Sequence, residues 1–286
     1  MKPKIGVDSF IWSENFSEKD IWIIPKAKEL GFAAIDISIS HPESFPTEKV
    51  LNEVKKTGIE AVTTHTLHKG TNIISADPKV RKKGVEMLKL MVDINEALGS
   101  RIMGGVIYAG WGCLSGKPRS KDEWNWSVDS MKEVGEYGKK VKGLSICVEP
   151  VNRFETHFLN IASDAVQYCK DVGTGNMKVH LDCFHMIREE TSFRGAVETC
   201  GKQYLGYVHV CENNRGIPGT GLVPWKEFFT AVKEIGYDGP MVIESFDPSF
   251  EELNRLCAIW RKFADSGEEL AVKGLKNLMA IAAQIN

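Results

Sequence analysis

Short β-branched runs alternate along the chain with longer amphipathic stretches, and this alternation sets the expected fold. The runs KIGVDSF, AAIDISI, EAVTTHTL, RIMGGVIY, LSICVEPV, MKVHLDC, LGYVHVC and GPMVIESF read as eight strands. Helical periodicity follows each of them, around 18–30, 47–57, 77–98, 120–142, 163–172, 192–200, 224–235 and 250–264. Ser17 and Ser163 stand where helices begin, Pro224 and Trp225 fill a first turn, and Gly31, Gly58, Gly99, Gly143, Gly173 and Gly236 follow helix ends. Units of this kind repeated over about 250 residues predict a closed parallel (β/α)8 TIM barrel. A doubly wound open sheet is the rival.

No linker or low-complexity stretch interrupts the pattern, so residues 1–286 are expected to form a single α/β domain. An additional C-terminal helix is expected after Ser266, in EELAVKGLKNLMAIAAQI, closing the barrel's side or serving in a subunit contact. The segment 109–123, AGWGCLSGKPRSKDE, follows the fourth strand and is expected as a loop above the active face.

Composition changes this picture little. With 43% hydrophobic and 26% charged residues the chain has the make-up of a water-soluble globular protein. A net charge of -2 gives no general electrostatic reason to expect nucleic acid or an anionic membrane as partner. The start, MKPKIGVDSFIW, lacks the apolar core of a secretory signal, and no run approaches the roughly 18 apolar residues of a membrane span. A cytoplasmic location is the expectation. Seven cysteines without paired spacing, among them Cys147, Cys183 and Cys211 in or at the end of apolar runs, read as reduced core thiols.

The chemistry lies at strand ends. In a β/α barrel the C-terminal ends of the strands converge on the active face, and the last four runs carry Glu149, Asp182, His209 and Glu244 there. Alternate side chains of a strand point to opposite faces. If Leu144, Ile146 and Val148 face the helices, then Ser145, Cys147 and Glu149 face the axis. By the same parity His180 and Asp182, His209, and Glu244 point inward. A single acid at a strand end is more often a solvated loop residue or a helix cap, but consecutive strands with matching parity point to one site. Three carboxylates in a partly dry pocket repel one another unless a cation neutralises them. A donor set of two Glu, one Asp and one His is mostly hard oxygen, which favours Mn2+, Mg2+ or Co2+ over a structural zinc site.

At these residues the chain resembles a known family. VEPVNRFET at 148–156, LDCFHM at 181–186, HVCENNRGIPGTGLVPW at 209–225 and VIESF at 242–246 together are similar to the ketose 3-epimerases of the D-tagatose and D-psicose (allulose) type. That group lies within the xylose-isomerase-like barrel superfamily. The resemblance implies that Glu149, Asp182, His209 and Glu244 bind the metal and that Glu149 and Glu244 are also the acid/base pair. It further implies that Glu155, His185 and Arg215 hold the O1 to O3 end of the sugar, with Trp111 as an aromatic wall beneath it. A homodimer or homotetramer is implied as well. The chain departs from the family pattern at Pro150, Ser245 and Val210-Cys211, positions that shape the pocket.

The implied reaction is inversion at C3 of a free ketose of the D-tagatose, D-psicose/D-fructose or L-ribulose type. One glutamate takes the C3 proton to give an enediolate and the other returns a proton to the opposite face. Strands five and eight are three apart around an eight-strand ring, so Glu149 and Glu244 can flank a sugar. Taken singly, Glu155 and Arg215 read as loop charges, His185 as a partner that orients Asp182, and His65 and His68 as structural. GTG at 219–221 lacks the strand-to-helix setting of a dinucleotide fingerprint. The rivals are an aldose–ketose isomerase of the same superfamily, an apurinic-site endonuclease-like barrel, and a barrel that binds sugar without catalysis. The endonuclease would need more metal-binding histidines than seven in all allow, and a basic surface.

Overall fold

The computed structural model describes residues 2–247 and 249–285. Eight parallel strands close into a barrel in sequence order: β1 (Lys4–Asp8), β2 (Ala34–Ser38), β3 (Glu60–Thr64), β4 (Ile102–Gly105), β5 (Ser145–Val148), β6 (Met177–Asp182), β7 (Leu205–His209) and β8 (Pro240–Ile243). β1 pairs with β8, Lys4 opposite Pro240 and Val7 opposite Ile243, so no sheet edge remains open. The open-sheet rival is thereby excluded.

Around the barrel run α1 (Ile23–Glu29), α2 (Thr47–Thr57), α3 (Pro78–Leu98), α4 (Lys121–Gly138), α5 (Ala162–Val172), α6 (Cys183–Glu189), α7 (Phe193–Tyr204), α8 (Trp225–Glu234), α9 (Glu251–Leu256) and α10 (Gly267–Ala282). Sequence-local chemistry fixes several ends. Ser120 and Glu123 cap α4 reciprocally, Glu123 N–H donating to Ser120 Oγ at 3.1 Å and Ser120 N–H to Glu123 Oε2 at 2.7 Å. α3 stops at Gly99, whose φ of 69° is left-handed. α10 is the expected C-terminal helix and contacts α8 and β8.

Strand parity divides the core in two. Ile146, Val148, Val179, Leu181, Val208, Met241 and Ile243 pack outward against the helices, in one large apolar cluster. Val62, Ile102, Cys147, Tyr207 and Val242 form a second, inner cluster that plugs the barrel below the strand ends. Each fully buried aliphatic side chain contributes about 1.5–3 kcal/mol relative to exposure, so the packing beneath the site adds to the stability of the barrel. Among the described residues no helix is long and apolar enough to cross a membrane.

Three elements differ from expectation. The first helix is split, a 3-10 turn at Glu18–Asp20 preceding α1. The expected helix 250–264 ends at Leu256, because Ala258 adopts a φ of 56° that no right-handed helix accommodates. α6 was not expected: Asp182 ends β6 and at once caps it, Oδ1 accepting from Phe184 N–H at 2.7 Å.

Candidate active site and metal centre

Above the inner apolar cluster lies a polar layer, and above that a cavity of about 390 Å³ lined by Trp111, Glu149, Glu155, His185, Arg215 and Glu244. Asp182 and His209 lie in the layer beneath, each only 1% exposed. Ligand atoms of Asp182, His209 and Glu244 come within 4.8 Å of one another together with Cys211. Glu149 reaches His209 in a second such grouping, which includes His180, and Asp182 in a third, which includes His185. The strand ends therefore bring the predicted quartet to one place, with Glu149 at its edge.

Tautomers follow from the hydrogen bonds. His209 Nε2 lies 3.2 Å from Asp36 Oδ2, and a carboxylate only accepts, so Nε2 carries a proton. This leaves buried Nδ1 aimed at Glu244 Oε2, 3.4 Å away, without a hydrogen-bond partner. A carboxylate behind an imidazole whose other nitrogen faces acids is the arrangement that orients a metal-binding histidine. His185 is held the other way: Asn152 N–H donates to Nδ1 at 3.2 Å, so Nε2–H points at Glu149 Oε1 and Asp182 Oδ2, each 3.8 Å away. Burial lowers the His185 pKa, so it stays a neutral donor.

Electrostatics separates the two glutamates. Burial, with the charges of Glu244 and Asp182, holds the Glu149 pKa well above the usual carboxylate range, and His209 and Arg215 only partly offset this. Burial acts on Glu244 too, but Arg215 and His209 outweigh it and hold Glu244 well below that range. Arg215 Nη1 lies 2.9 Å from Asp182 Oδ2 and 2.5 Å from Glu244 Oε2. Its guanidinium stacks 4.0 Å from the centre of the Phe184 ring, and its backbone sits at a left-handed φ of 61°. Such strain in a non-glycine residue is costly and typical of functional sites. Burial works against a charge on His209, yet Glu244, Asp36 and Glu149 raise its pKa well above the imidazole range. The acids crowded round His209 thus call for positive charge.

The residues present fit a divalent cation. The unpartnered buried Nδ1 of His209 and the Asp182 and Glu244 oxygens lie within 4.8 Å of one another and would hold such an ion, and each carboxylate oxygen retains a lone pair beyond those given to Arg215. The set is mostly hard oxygen, as the sequence implied.

The remaining expected residues also meet here. Trp111 Nε1–H donates to Glu155 Oε2 at 2.7 Å, and Asn152 Nδ2–H donates to Glu155 Oε1 at 2.7 Å. Trp111, on the loop between β4 and α4, thus stands in the cavity wall tied to Glu155. His65 is buried against Ile39 O at 2.7 Å and outside the cavity wall, as a structural residue would be.

The polar layer also contains Asp8 of β1 and Asp36 of β2, two buried acids that the sequence pattern alone does not single out. Asp36 accepts from Tyr207 OH, from His209 Nε2–H and, at 3.0 Å, from Thr64 Oγ1–H. Ser38 Oγ lies 2.9 Å from Thr64 Oγ1 and 3.0 Å from Asp8 Oδ2. A hydroxyl has one proton to give, so all these contacts are bonded at once when Asp8 holds the proton, and burial indeed raises its pKa well above normal. His180 was expected inward and is, with Nδ1 3.6 Å from Glu149 Oε2 and both ring nitrogens unpartnered. Burial lowers its pKa well below the usual value and keeps it neutral.

Residues 24–283 match the family model for the xylose isomerase-like TIM barrel. The chain belongs to that family. Within it, the chain is 33% identical to a ketose 3-epimerase from Arthrobacter globiformis over 93% of this chain and 92% of the relative. It is 32% identical to a D-psicose 3-epimerase from Ruminiclostridium cellulolyticum over 93% and 92% of the two chains. The crystal structure of a D-allulose 3-epimerase from Methylomonas sp. in complex with D-allulose matches with a TM-score of 0.90, at 30% identity over 96% of both chains. These family members are ketose 3-epimerases, isomerase-class enzymes, and this chain is an enzyme of that class. A shared barrel alone would carry no activity; identity along nearly the whole length does.

Proposed function

We propose that this isomerase inverts C3 of a free ketose, using Glu149 and Glu244 as the proton-transferring pair in a metal-dependent reaction. The observation that carries the reading is that carboxylates from β5 and β8, three strands apart, both line one cavity together with His185 and Arg215. That cavity is of a size suited to a small ligand, and the relatives named above act on ketoses.

A proton next to a ketone is weakly acidic in water. Inversion needs a base on one side of C3 and an acid on the other. One glutamate takes the proton to leave a planar enediolate, and the other delivers a proton to the opposite face. The reverse reaction exchanges their roles. Asp182, His209, Glu244 and Glu149 would hold a divalent ion, with Mn2+, Co2+ or Mg2+ as the candidates, and its chemistry there would be to supply positive charge near the developing enediolate. His185 Nε2–H and the Arg215 guanidinium donate to the oxygen on C2, while Glu155, fixed by Trp111 and Asn152, accepts from the C1 hydroxyl. Phe10, Phe246 and Leu253 make the cavity's apolar side and keep water from the intermediate.

Incubation with D-fructose, D-tagatose and D-ribulose and identification of the products tests the reaction. C3 epimers are expected; new aldoses without C3 epimers would replace this reading by proton transfer between C1 and C2. A second prediction concerns Asp36. Its Asn variant keeps the shape but loses the charge behind His209, and metal affinity should fall about 10–100-fold, read by equilibrium dialysis. Unchanged affinity would show that the hydrogen bond at Nε2 does not tune a ligand.

A further inference from the structure

Cys211 stands apart from the other buried cysteines. Cys183 packs in the outer apolar cluster and Cys147 in the inner one, whereas Cys211, fully buried, belongs to neither. Two residues beyond His209 on the same parity, its side chain is carried inward instead. Sγ lies 3.9 Å from Glu244 Oε2, and it falls within 4.8 Å of ligand atoms of Asp182 and His209 as well. Bonds to one ion of about 2.3 Å from sulfur and about 2.2 Å from oxygen allow the two donors to stand up to roughly 4.5 Å apart. The Cys211–Glu244 separation is inside that limit. The unpartnered Nδ1 of His209, itself almost wholly buried, is aimed into the same cluster.

We propose that Cys211 is a sulfur donor at the metal centre, converting an oxygen-and-imidazole site into a mixed one that prefers Zn2+ and Co2+ to Mn2+ and Mg2+. This rests on the reading of Asp182, His209 and Glu244 as metal ligands. Thiolate sulfur is a soft donor and selects softer ions, whereas carboxylates alone favour the hard ones. As the sulfur–metal bond forms, the thiol proton leaves to solvent. Three carboxylates and a thiolate around a divalent ion leave two surplus negative charges, and Arg215, hydrogen-bonded to both Asp182 and Glu244, balances one of them. The thiol stands among the donor atoms of Asp182, His209 and Glu244 where the sequence pattern alone suggested a core position.

Cobalt reports the ligand directly. The full-length protein, stripped with a chelator and dialysed, is titrated with Co2+ and followed by absorption. Visible d–d bands and a near-ultraviolet sulfur-to-cobalt charge-transfer band are expected, both saturating together at one ion per chain. In folded Cys211→Ser and Cys211→Ala the charge-transfer band should vanish while the d–d bands persist. Competition dialysis should show the preference for Zn2+ over Mn2+ falling about tenfold or more in the same variants. Visible bands without the near-ultraviolet band in the unmutated protein, or a band that survives both substitutions, overturn the sulfur donor and leave the metal centre standing. Failure of the protein to take up Co2+ at all overturns the centre, and the sulfur donor with it.

Discussion

Glu149→Gln and Glu244→Gln will each reduce epimerisation by about 10²–10⁴-fold, and the double variant will be little worse than the poorer single one. Inversion needs both a base and an acid, so removing either breaks the sequence of proton transfers, and residues acting as a unit do not contribute additively. Solvent-deuterium exchange adds a sharper readout. A variant that keeps the base for one epimer should still exchange the C3 proton of that epimer without inverting it. The two variants should differ in which epimer they exchange. Metal content must be measured alongside, because both side chains are proposed as ligands. Turnover at the unmutated rate in either variant would remove that glutamate from the mechanism.

The same substitutions should move stability in opposite directions in the metal-free protein. Glu149 has a pKa raised in the folded state, so above the unfolded carboxylate range it costs stability, and the cost is absent below that range. Glutamine removes this cost, and the melting temperature should hold or rise. Glu244 is depressed by Arg215 and His209, so its charge stabilises the fold above the unfolded pKa and that contribution is lost as pH falls through the folded one. Glu244→Gln forfeits it and leaves Arg215 short of a partner, so the melting temperature should drop. A matched pair of thermal melts reads both signs.

The barrel and its inward-facing polar residues were legible because strand parity is a strict local code. In β5 to β8 the outward positions are aliphatic, so any polar residue between them at a strand end has only the axis to face. Ile5 and Val7 point Asp8 inward in the same way, and Ile35 and Ile37 do so for Asp36, but neither acid falls in a motif that carries the family resemblance. Their role becomes visible only when β7 is folded beside them and His209 reaches across the barrel. Asn152, which fixes both Glu155 and His185, was hidden for a different reason: its contacts join a loop to α6, a helix whose cap is the site residue Asp182 itself. The early end of α9 at the backbone of Ala258 has no signal in residue type at all.

Stripping the metal should abolish turnover and lower the melting temperature, and adding Mn2+ or Co2+ should restore both. Asp182 and His209, both buried, and the half-buried Glu244 present donors close to one another, and Arg215 gives the two acids one positive charge. A monocation paired to the acids through hydrogen bonds cannot stabilise the developing enediolate as a divalent ion does, so residual activity should be near background. The thermal effect has a stated size: an ion present at 100 times its dissociation constant stabilises the native state by about 2.7 kcal/mol when the unfolded chain does not bind it. The two readouts fail differently. A protein that loses the thermal shift but keeps its activity after complete removal would hold a structural ion and epimerise without it. A protein that loses activity yet melts unchanged would bind the ion only weakly, or only with the sugar in place. Joint loss and joint recovery, with the recovered rate saturating at one ion per chain, is the outcome that the acids crowded around His209 demand.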